Sequence, residues 1–227
     1  QIVYDPRVIA PTTNHAATFK HAIGLSDQLL LRSTLSAASD QAWSRRQNAI
    51  LWRERLDYEA GRFRFFAGLD ARLASLNERN IFALGGFLPR DESFLTLSAL
   101  PGLAWRSSIG EVGASLSLAR TRYLHETDYL GFFRHNDRLQ PNLFASTTLF
   151  GVTFEGSASF LTARFPDRNF DDVKRILYTA KAVIPMNQAM ITLSSQRTAE
   201  DTTLPWSVIN IATNYEARVS LKYDERN

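Results

Sequence analysis

The sequence has no cysteine, only 11 glycines and no long apolar run. Without cysteine there are no disulfide frameworks and no thiolate zinc sites, and the composition fits export through an oxidising periplasm. A helical membrane span needs about 18 consecutive apolar residues, whereas the apolar runs here are only a few residues long, as at residues 29–31. A helical membrane protein is therefore excluded.

Neither positive nor negative charge predominates in the sequence. The chain of 227 residues carries 26 Lys and Arg against 23 Asp and Glu, a net charge of +3. The arginines are spread along the chain without a basic block, which disfavours a nucleic-acid partner. Length suits one domain, and 44% hydrophobic residues is close to the average of soluble proteins, so composition alone does not identify the class of protein.

Histidine is scarce too, at four residues, and none has the spacing of a metal site. We therefore predict no metal and no other cofactor. One long loop does collect the polar groups that a surface enzyme acting on lipid or glycan would need: His125, Glu126, Asp128, His135 and Asp137. Because no nucleophile accompanies them, we interpret them as solvated loop residues and predict no catalytic residues.

What the sequence does contain is a repeated period of two, the pattern of a half-apolar β-strand. In residues 62–74 one face is apolar: Phe63, Phe65, Ala67, Leu69, Ala71 and Leu73. The other face is mostly polar or small: Arg62, Arg64, Phe66, Gly68, Asp70 and Arg72. A helix would mix the two sets, so the segment predicts a strand.

The alternation recurs along the whole chain. It is clear in three further segments, at residues 111–124, 173–184 and 188–197. Weaker versions occupy residues 17–24, 28–38, 48–58, 94–106, 138–149, 152–164, 207–216 and 217–224. The total is about twelve strands, with a range of 10–14. Residues 1–14 form an irregular N-terminal arm in this interpretation, and residues 15–227 form one β-domain.

The connectors between these segments alternate in length. The short ones, rich in hairpin residues, are residues 25–27, 59–61, 107–110, 150–151 and 185–187. The longer ones are residues 39–47, 75–93, 125–137, 165–172 and 198–206. Short periplasmic turns and longer extracellular loops are typical of outer-membrane barrels. We therefore predict an all-β, antiparallel, transmembrane up-and-down β-barrel in the outer membrane of a Gram-negative bacterium.

A soluble all-β binding protein would show the same alternation, with Phe63, Leu69, Leu116 and Ile176 meeting in one core. Strand length favours the membrane, because several segments reach eleven residues or more and globular strands average about five or six. Aromatic residues also fall toward strand ends, as at Trp105.

Three charged residues disturb the apolar faces. Arg120 and Arg122 continue the set that holds Leu116 and Leu118, and we predict that they contact lipid headgroups, including lipopolysaccharide phosphates. Glu54 shares a face with Trp52, and we expect a slipped register or a bulge there.

Charged residues of the opposite face give the candidate functional site. We predict that these residues line a pore and bind anions: Arg32, Arg53, Arg55, Arg62, Arg64, Asp70, Arg72, Arg175 and Lys181. A basic lumen would favour anionic solutes, including acidic sugars. A barrel of this size is narrow, so a gated conduit or a plugged membrane scaffold is as consistent with the sequence as an open channel.

Residues 116–184 contain Ala-Arg-Thr-Arg-Tyr at residues 119–123, then an aspartate-rich loop, and then Gly-Val-Thr-Phe-Glu-Gly-Ser-Ala-Ser-Phe-Leu-Thr-Ala-Arg-Phe-Pro-Asp-Arg-Asn-Phe-Asp-Asp at residues 151–172. In these features the segment resembles outer-membrane, porin-like β-barrel proteins of alphaproteobacteria. The resemblance implies a porin-like or export barrel, and related barrels are associated with polysaccharide export, so complex partners in the periplasm or outer membrane are also implied. The chain lacks the usual terminal aromatic residue, so we expect either missing residues or another insertion signal.

Overall fold

The computed structural model describes residues 13–42, 45–78, 92–127, 131–202 and 207–221. Eleven β-strands occupy them: β1 Thr13–Ser26, β2 Leu29–Ala42, β3 Arg45–Ala60, β4 Phe63–Glu78, β5 Glu92–Arg106, β6 Gly110–Tyr123, β7 Asn136–Leu149, β8 Val152–Arg164, β9 Val173–Pro185, β10 Ala189–Asp201 and β11 Ile209–Leu221. Within this part of the chain, no helix is long and apolar enough to span a membrane.

The strands form one antiparallel up-and-down sheet in which each strand pairs with the next along the chain. This confirms the all-β meander predicted from the period of two. The predicted segments 207–216 and 217–224 are a single strand, because Glu216 and Ala217 both continue the ladder with β10. In the described residues no ladder joins β1 to β11, so closure of the sheet stays a prediction. Residues 1–12 of the predicted N-terminal arm (Gln1–Asn14) lie outside the described residues, and β1 begins at Thr13.

Short hairpins join the strands at one end of the sheet, at residues 27–28, 61–62, 107–109, 150–151 and 186–188, and we call this the turn end. The opposite end, the loop end, carries the other connectors. One prediction there was wrong: the connector at residues 39–47 is not long, because the ladder continues from Ser39–Asn48 to Ala42–Arg45. Most of residues 39–47 are polar, so the segment resembles a loop in sequence. Backbone pairing, however, does not depend on apolar side chains.

The sheet is curled so that its polar face is concave. Contacts between distant strands show this, since Arg72 of β4 lies 3.5 Å from Asp201 of β10. Rings of Phe66 in β4 and Phe144 in β7 lie 6.0 Å apart. Two strands separate β4 from β7, so these rings meet across the inside of the curl.

Glycine makes this crossing possible. Gly102 of β5 and Gly113 of β6 lie beneath the two rings, and a Cβ at Gly102 would overlap the ring of Phe66. At Gly113 a Cβ would overlap the ring of Phe144 and the carbonyl oxygen of Leu103. Small residues at these positions let large side chains fill the concave face.

The buried apolar side chains lie mainly on this concave side, toward the loop end. Ala74, Leu76, Phe94 and Tyr123 form one packed cluster. The apolar set of each strand instead occupies the convex face, where Phe63 and Leu69 are about half exposed. The two faces are therefore arranged as the alternation predicted.

Glu54 lies on the convex face without any change of register, so the predicted slip or bulge was wrong. The ladders continue through it to Ser33 on β2 and Leu69 on β4. Its carboxylate accepts hydrogen bonds from Ser33 Oγ at 2.7 Å and from Trp52 Nε1 at 3.0 Å. Neighbours on the same face supply the donors, so the strand does not need to rotate.

Candidate functional site

Charged side chains on the concave face form two groups. The first, the turn-end cluster, consists of Arg32, Arg55, Asp57, Glu59, Arg64, Arg106 and Glu111. Its centre is Asp57, which is 3% exposed. The carboxylate accepts hydrogen bonds from Arg32 at 3.1 Å and from Arg55 and Arg64 at 3.3 Å.

The same cluster reaches β5 and β6. Arg64 also pairs with Glu111, and Arg106 donates to Glu111 at 2.6 Å. The guanidinium groups of Arg55 and Arg64 both lie over the ring of Phe66, at 4.7 and 5.1 Å from its centre. Four arginines face three carboxylates, so the cluster carries a small excess of positive charge.

Two ion pairs occupy the middle of the concave face. Arg53 donates two hydrogen bonds to the carboxylate of Asp70, at 3.0 and 3.1 Å. Lys181 lies 3.1 Å from Glu155. The partners in each pair are on adjacent strands, so the pairs link neighbours within the sheet.

The second group, the loop-end cluster, consists of Arg72, Arg134, Asn136, Arg138 and Asp201. Asp201 accepts hydrogen bonds from both Arg72 and Arg138, which come from β4 and β7. Arg134 is 1% exposed and donates to the carbonyl oxygens of Thr202 at 3.1 Å and Ser207 at 3.2 Å. Its guanidinium also lies over the ring of Phe170.

Strand β10 explains why Asp201 can reach this position. The ladder between β9 and β10 runs from Pro185–Met190 to Tyr178–Arg197 and then ends, whereas β10 stays paired with β11 as far as Asp201. Residues 198–202 and 207–211, the hairpin end, therefore leave β9. Thr202 and Val208 are each 2% exposed, so the hairpin end is packed against the concave face.

The structure places eight of the nine predicted pore-lining residues on the concave face: Arg32, Arg53, Arg55, Arg64, Asp70, Arg72, Arg175 and Lys181. Arg62 lies in the hairpin turn at residues 61–62 and is exposed. The turn-end cluster brings Arg32, Arg55 and Arg64 together around Asp57, while Arg175 is exposed and apart from it. Their role in anion binding stays a prediction.

Sequence reasoning missed the carboxylates that neutralise these arginines. Asp57, Glu111 and Asp201 are central to the two clusters, and so are Arg134 and Arg138. For Asp57 and Glu111 a signal existed, because both fall on the polar face of their strands. For Arg134, which lies in a loop, we find no signal in the sequence.

Arg120 and Arg122 lie on the convex face, toward the loop end. Arg120 donates to Asp137 at 3.0 Å, and Arg122 donates to the same carboxylate oxygen at 3.1 Å. Asp137 is the second residue of the neighbouring strand, β7, and lies on the same face. The two arginines are thus partly neutralised, and their contact with lipid headgroups stays a prediction.

The loop with two histidines is held by contacts of its own. His135 Nδ1 accepts the Tyr123 N–H at 3.1 Å, and His125 lies 3.9 Å from Glu92. Partial burial, together with the charge of Arg122, lowers the pKa of His135. Asp128 lies outside the described residues. In the part of the chain that is described, no group of three or more possible ligands could hold a metal.

A neighbouring loop packs against this one through Asp167. Its carboxylate accepts the N–H of Asn169 at 2.9 Å and the N–H of Phe133 at 2.7 Å. These two backbone hydrogen bonds lower the pKa of Asp167. The loops at residues 131–135 and 165–172 are therefore joined at the loop end.

Comparison with known proteins gives little beyond this geometry. The chain matches no protein-family model and no curated protein. Among solved structures, it is similar to the translocator domain of the autotransporter NalP from Neisseria meningitidis, with 11% identity, a TM-score of 0.48, and coverage of 93% of this chain and 80% of that chain. A likeness of this strength carries no argument about function, and the resemblance to alphaproteobacterial barrels stays a prediction.

Proposed function

We propose that this chain is an outer-membrane β-barrel. One observation carries the proposal: the convex face is mostly apolar, with the ion pairs of Asp137 only toward its loop end, and the concave face holds the two charged clusters. Burying one large apolar side chain is worth about 1.5–3 kcal/mol, and proteins are stable by about 5–15 kcal/mol in total. In water, a convex face with this many exposed Leu, Phe, Ile and Trp side chains would lose a burial free energy larger than the whole stability of a typical protein. In a membrane, acyl chains would cover these side chains.

Strand dimensions support the same proposal. The strands have 13–16 residues, more than the about 9–11 that a tilted strand needs to cross a bilayer. Aromatic side chains gather at the turn end of the convex face, where Tyr58 and Phe65 stack at 6.4 Å and Phe63 and Phe65 at 6.5 Å. Such a group suits the interface between acyl chains and headgroups.

Within such a barrel, we propose a gated, porin-like conduit for anionic solutes. The turn-end cluster has more arginines than carboxylates, which attracts anions. We propose that the hairpin end, which lies against the concave face and is held there by Asp201 and Arg134, plugs the conduit at rest. Acidic polysaccharide is the cargo that the family resemblance implies, and a plugged scaffold without transport is the alternative.

Two measurements test the proposal. The protein should be extracted only with detergent and should migrate differently on a denaturing gel before and after heating. Solubility in aqueous buffer without detergent would refute the membrane location and favour a soluble all-β binding protein. In planar bilayers we expect anion-selective conductance that Arg64→Gln reduces and that Arg62→Gln, in the exposed turn, leaves unchanged.

We also propose a non-enzymatic role with outer-membrane lipid, including lipopolysaccharide, as the surrounding partner. His125 lies near Glu92, and His135 accepts the Tyr123 N–H. These contacts give both side chains a structural role that requires no reaction. Cells that carry His125→Ala or His135→Ala should keep unchanged lipid and glycan profiles. Loss of a lipid or glycan modification in either variant would instead establish an enzyme.

A further inference from the structure

The cavity beside Arg197 points to a ligand site inside the curled sheet. We propose that it binds a small carboxylate that also carries hydroxyl groups, of the size of one sugar acid. The inference rests on the proposed function in one respect: it gives the anionic solute of the lumen a specific place to bind.

The cavity exists because β10 leaves β9. Where the ladder ends at Tyr178–Arg197, the hairpin end turns away, and a space of about 270 Å³ remains between it and the concave faces of β7, β8 and β9. This volume is slightly below the about 300 Å³ at which compact ligand sites begin, so the cavity admits one small molecule at most and excludes a polymer in cross-section.

Arg197 provides the attraction for an anion. Its Nε is buried and has no hydrogen-bond partner among the described residues. Nε itself has almost no accessible surface, so a carboxylate in the cavity would be bound by the other N–H donors of the guanidinium. The other arginine at the cavity, Arg138, is paired with Asp201, which it shares with Arg72. The positive charge of Arg197 favours an anion, and the planar fork of a guanidinium matches a carboxylate.

Neutral polar groups surround the rest of the space. Gln140, Asn142, Ser159 and Thr198 line it, and Gln140 Nε2 donates to Ser159 Oγ at 2.8 Å. Amides and hydroxyls both donate and accept hydrogen bonds, which is the complement that several ligand hydroxyl groups require. Gln140, Ser159 and Asn142 already have protein partners but keep unused hydrogen-bonding capacity, which a ligand with hydroxyl groups would use and a purely apolar carboxylate would not.

The test uses the full chain folded in detergent, with D-glucuronate as the probe and glucose as the neutral comparison, and binding is measured by calorimetry. We expect saturable binding of glucuronate and much weaker binding of glucose. Arg197→Gln should weaken glucuronate binding at least about tenfold, because it removes a charge-assisted hydrogen bond. Arg197→Lys should fall between the two.

Arg175→Gln is the matched control, since Arg175 is an exposed arginine on the concave face of β9. It should leave the affinity unchanged. No saturable binding by the wild type, equal binding by Arg197→Gln, or equal weakening by Arg175→Gln would each overturn the proposal. If Arg197→Gln does not fold, Thr198→Val takes its place, and unchanged affinity in that variant would also overturn it.

The failure of this inference differs from the failure of the proposed function. A protein that folds in detergent and conducts anions but does not bind glucuronate lacks the site and keeps the function. A protein that is soluble without detergent loses the proposed function, while the binding result for Arg197 still stands.

Discussion

The two charged clusters use the same ions but connect different parts of the fold. In the turn-end cluster, Asp57 and Glu111 bind arginines from the same strand, an adjacent strand or a strand one further away. In the loop-end cluster, Asp201 binds arginines from β4 and β7, which are six and three strands away from β10. The first cluster reinforces the wall of the curled sheet, and the second holds a hairpin end across its inside.

Under the proposed function, this difference gives the turn-end cluster a role in stability and the loop-end cluster a role in gating. Within a curled sheet, an ion pair between neighbours adds to a ladder that exists anyway. An ion pair across the interior instead holds the hairpin end against a strand with which it forms no backbone ladder. Single substitutions separate the two roles.

Asp57→Asn should have the largest effect on stability. It leaves Arg32, Arg55 and Arg64 without their shared carboxylate, and removal of one partner of a buried pair costs about 3–5 kcal/mol. Unfolding by urea in lipid vesicles measures the loss. The matched control is Asp70→Asn, whose partner Arg53 is half exposed, so about 1 kcal/mol or less is expected. Equal losses in the two variants would contradict the central place of Asp57.

Asp201→Asn should cost less stability, about 2 kcal/mol, but should change conductance most. The change releases Arg72 and Arg138 and frees the hairpin end from the concave face. Planar-bilayer recordings should then show longer or larger openings than the wild type. Asp70→Asn serves again as the control and should show wild-type gating. If Asp201→Asn also gates like the wild type, the hairpin end is not the plug.

Arg134→Met should loosen the hairpin end alone. Methionine fills the space of the arginine stem but makes no hydrogen bond to the Thr202 and Ser207 carbonyls. A buried carbonyl left without its donor costs about 1–3 kcal/mol. Hydrogen exchange of the Thr202 amide, which donates to the Val208 carbonyl, should accelerate. Amides near Asp57 should keep their protection, and acceleration throughout the sheet would contradict this division.

Acidification should give the smallest effect, also confined to the loop end. The pKa of His135 is lowered in the fold, so its contribution to stability is present above the ordinary histidine pKa of about 6.5 and is lost as pH falls through the folded value. Protonation removes the Nδ1 acceptor of the Tyr123 N–H. Exchange of the Tyr123 amide should therefore accelerate below about pH 6.5, and His135→Ala should abolish that pH dependence.

The sequence by itself determined the strands and the division of their faces. Period two is a local property, so the alternation of Phe63 and Phe65 with Arg64 was enough to place one set on each side of β4. The alternation gave a wrong prediction at residues 39–47, where polar side chains resemble a loop. It also divided β11 into two segments. Arg62 was also misplaced, because the alternation does not show where a hairpin turn begins.

Tertiary structure alone decided which charges meet. Arg72 and Asp201 are 129 positions apart in the chain, and no spacing in the sequence connects them. The cavity beside Arg197 likewise depends on where β10 separates from β9, which is set by the packing of Asp201, Thr202 and Val208 on the concave face. Side-chain alternation follows from the geometry of a single strand, whereas these contacts follow from the curvature of all eleven.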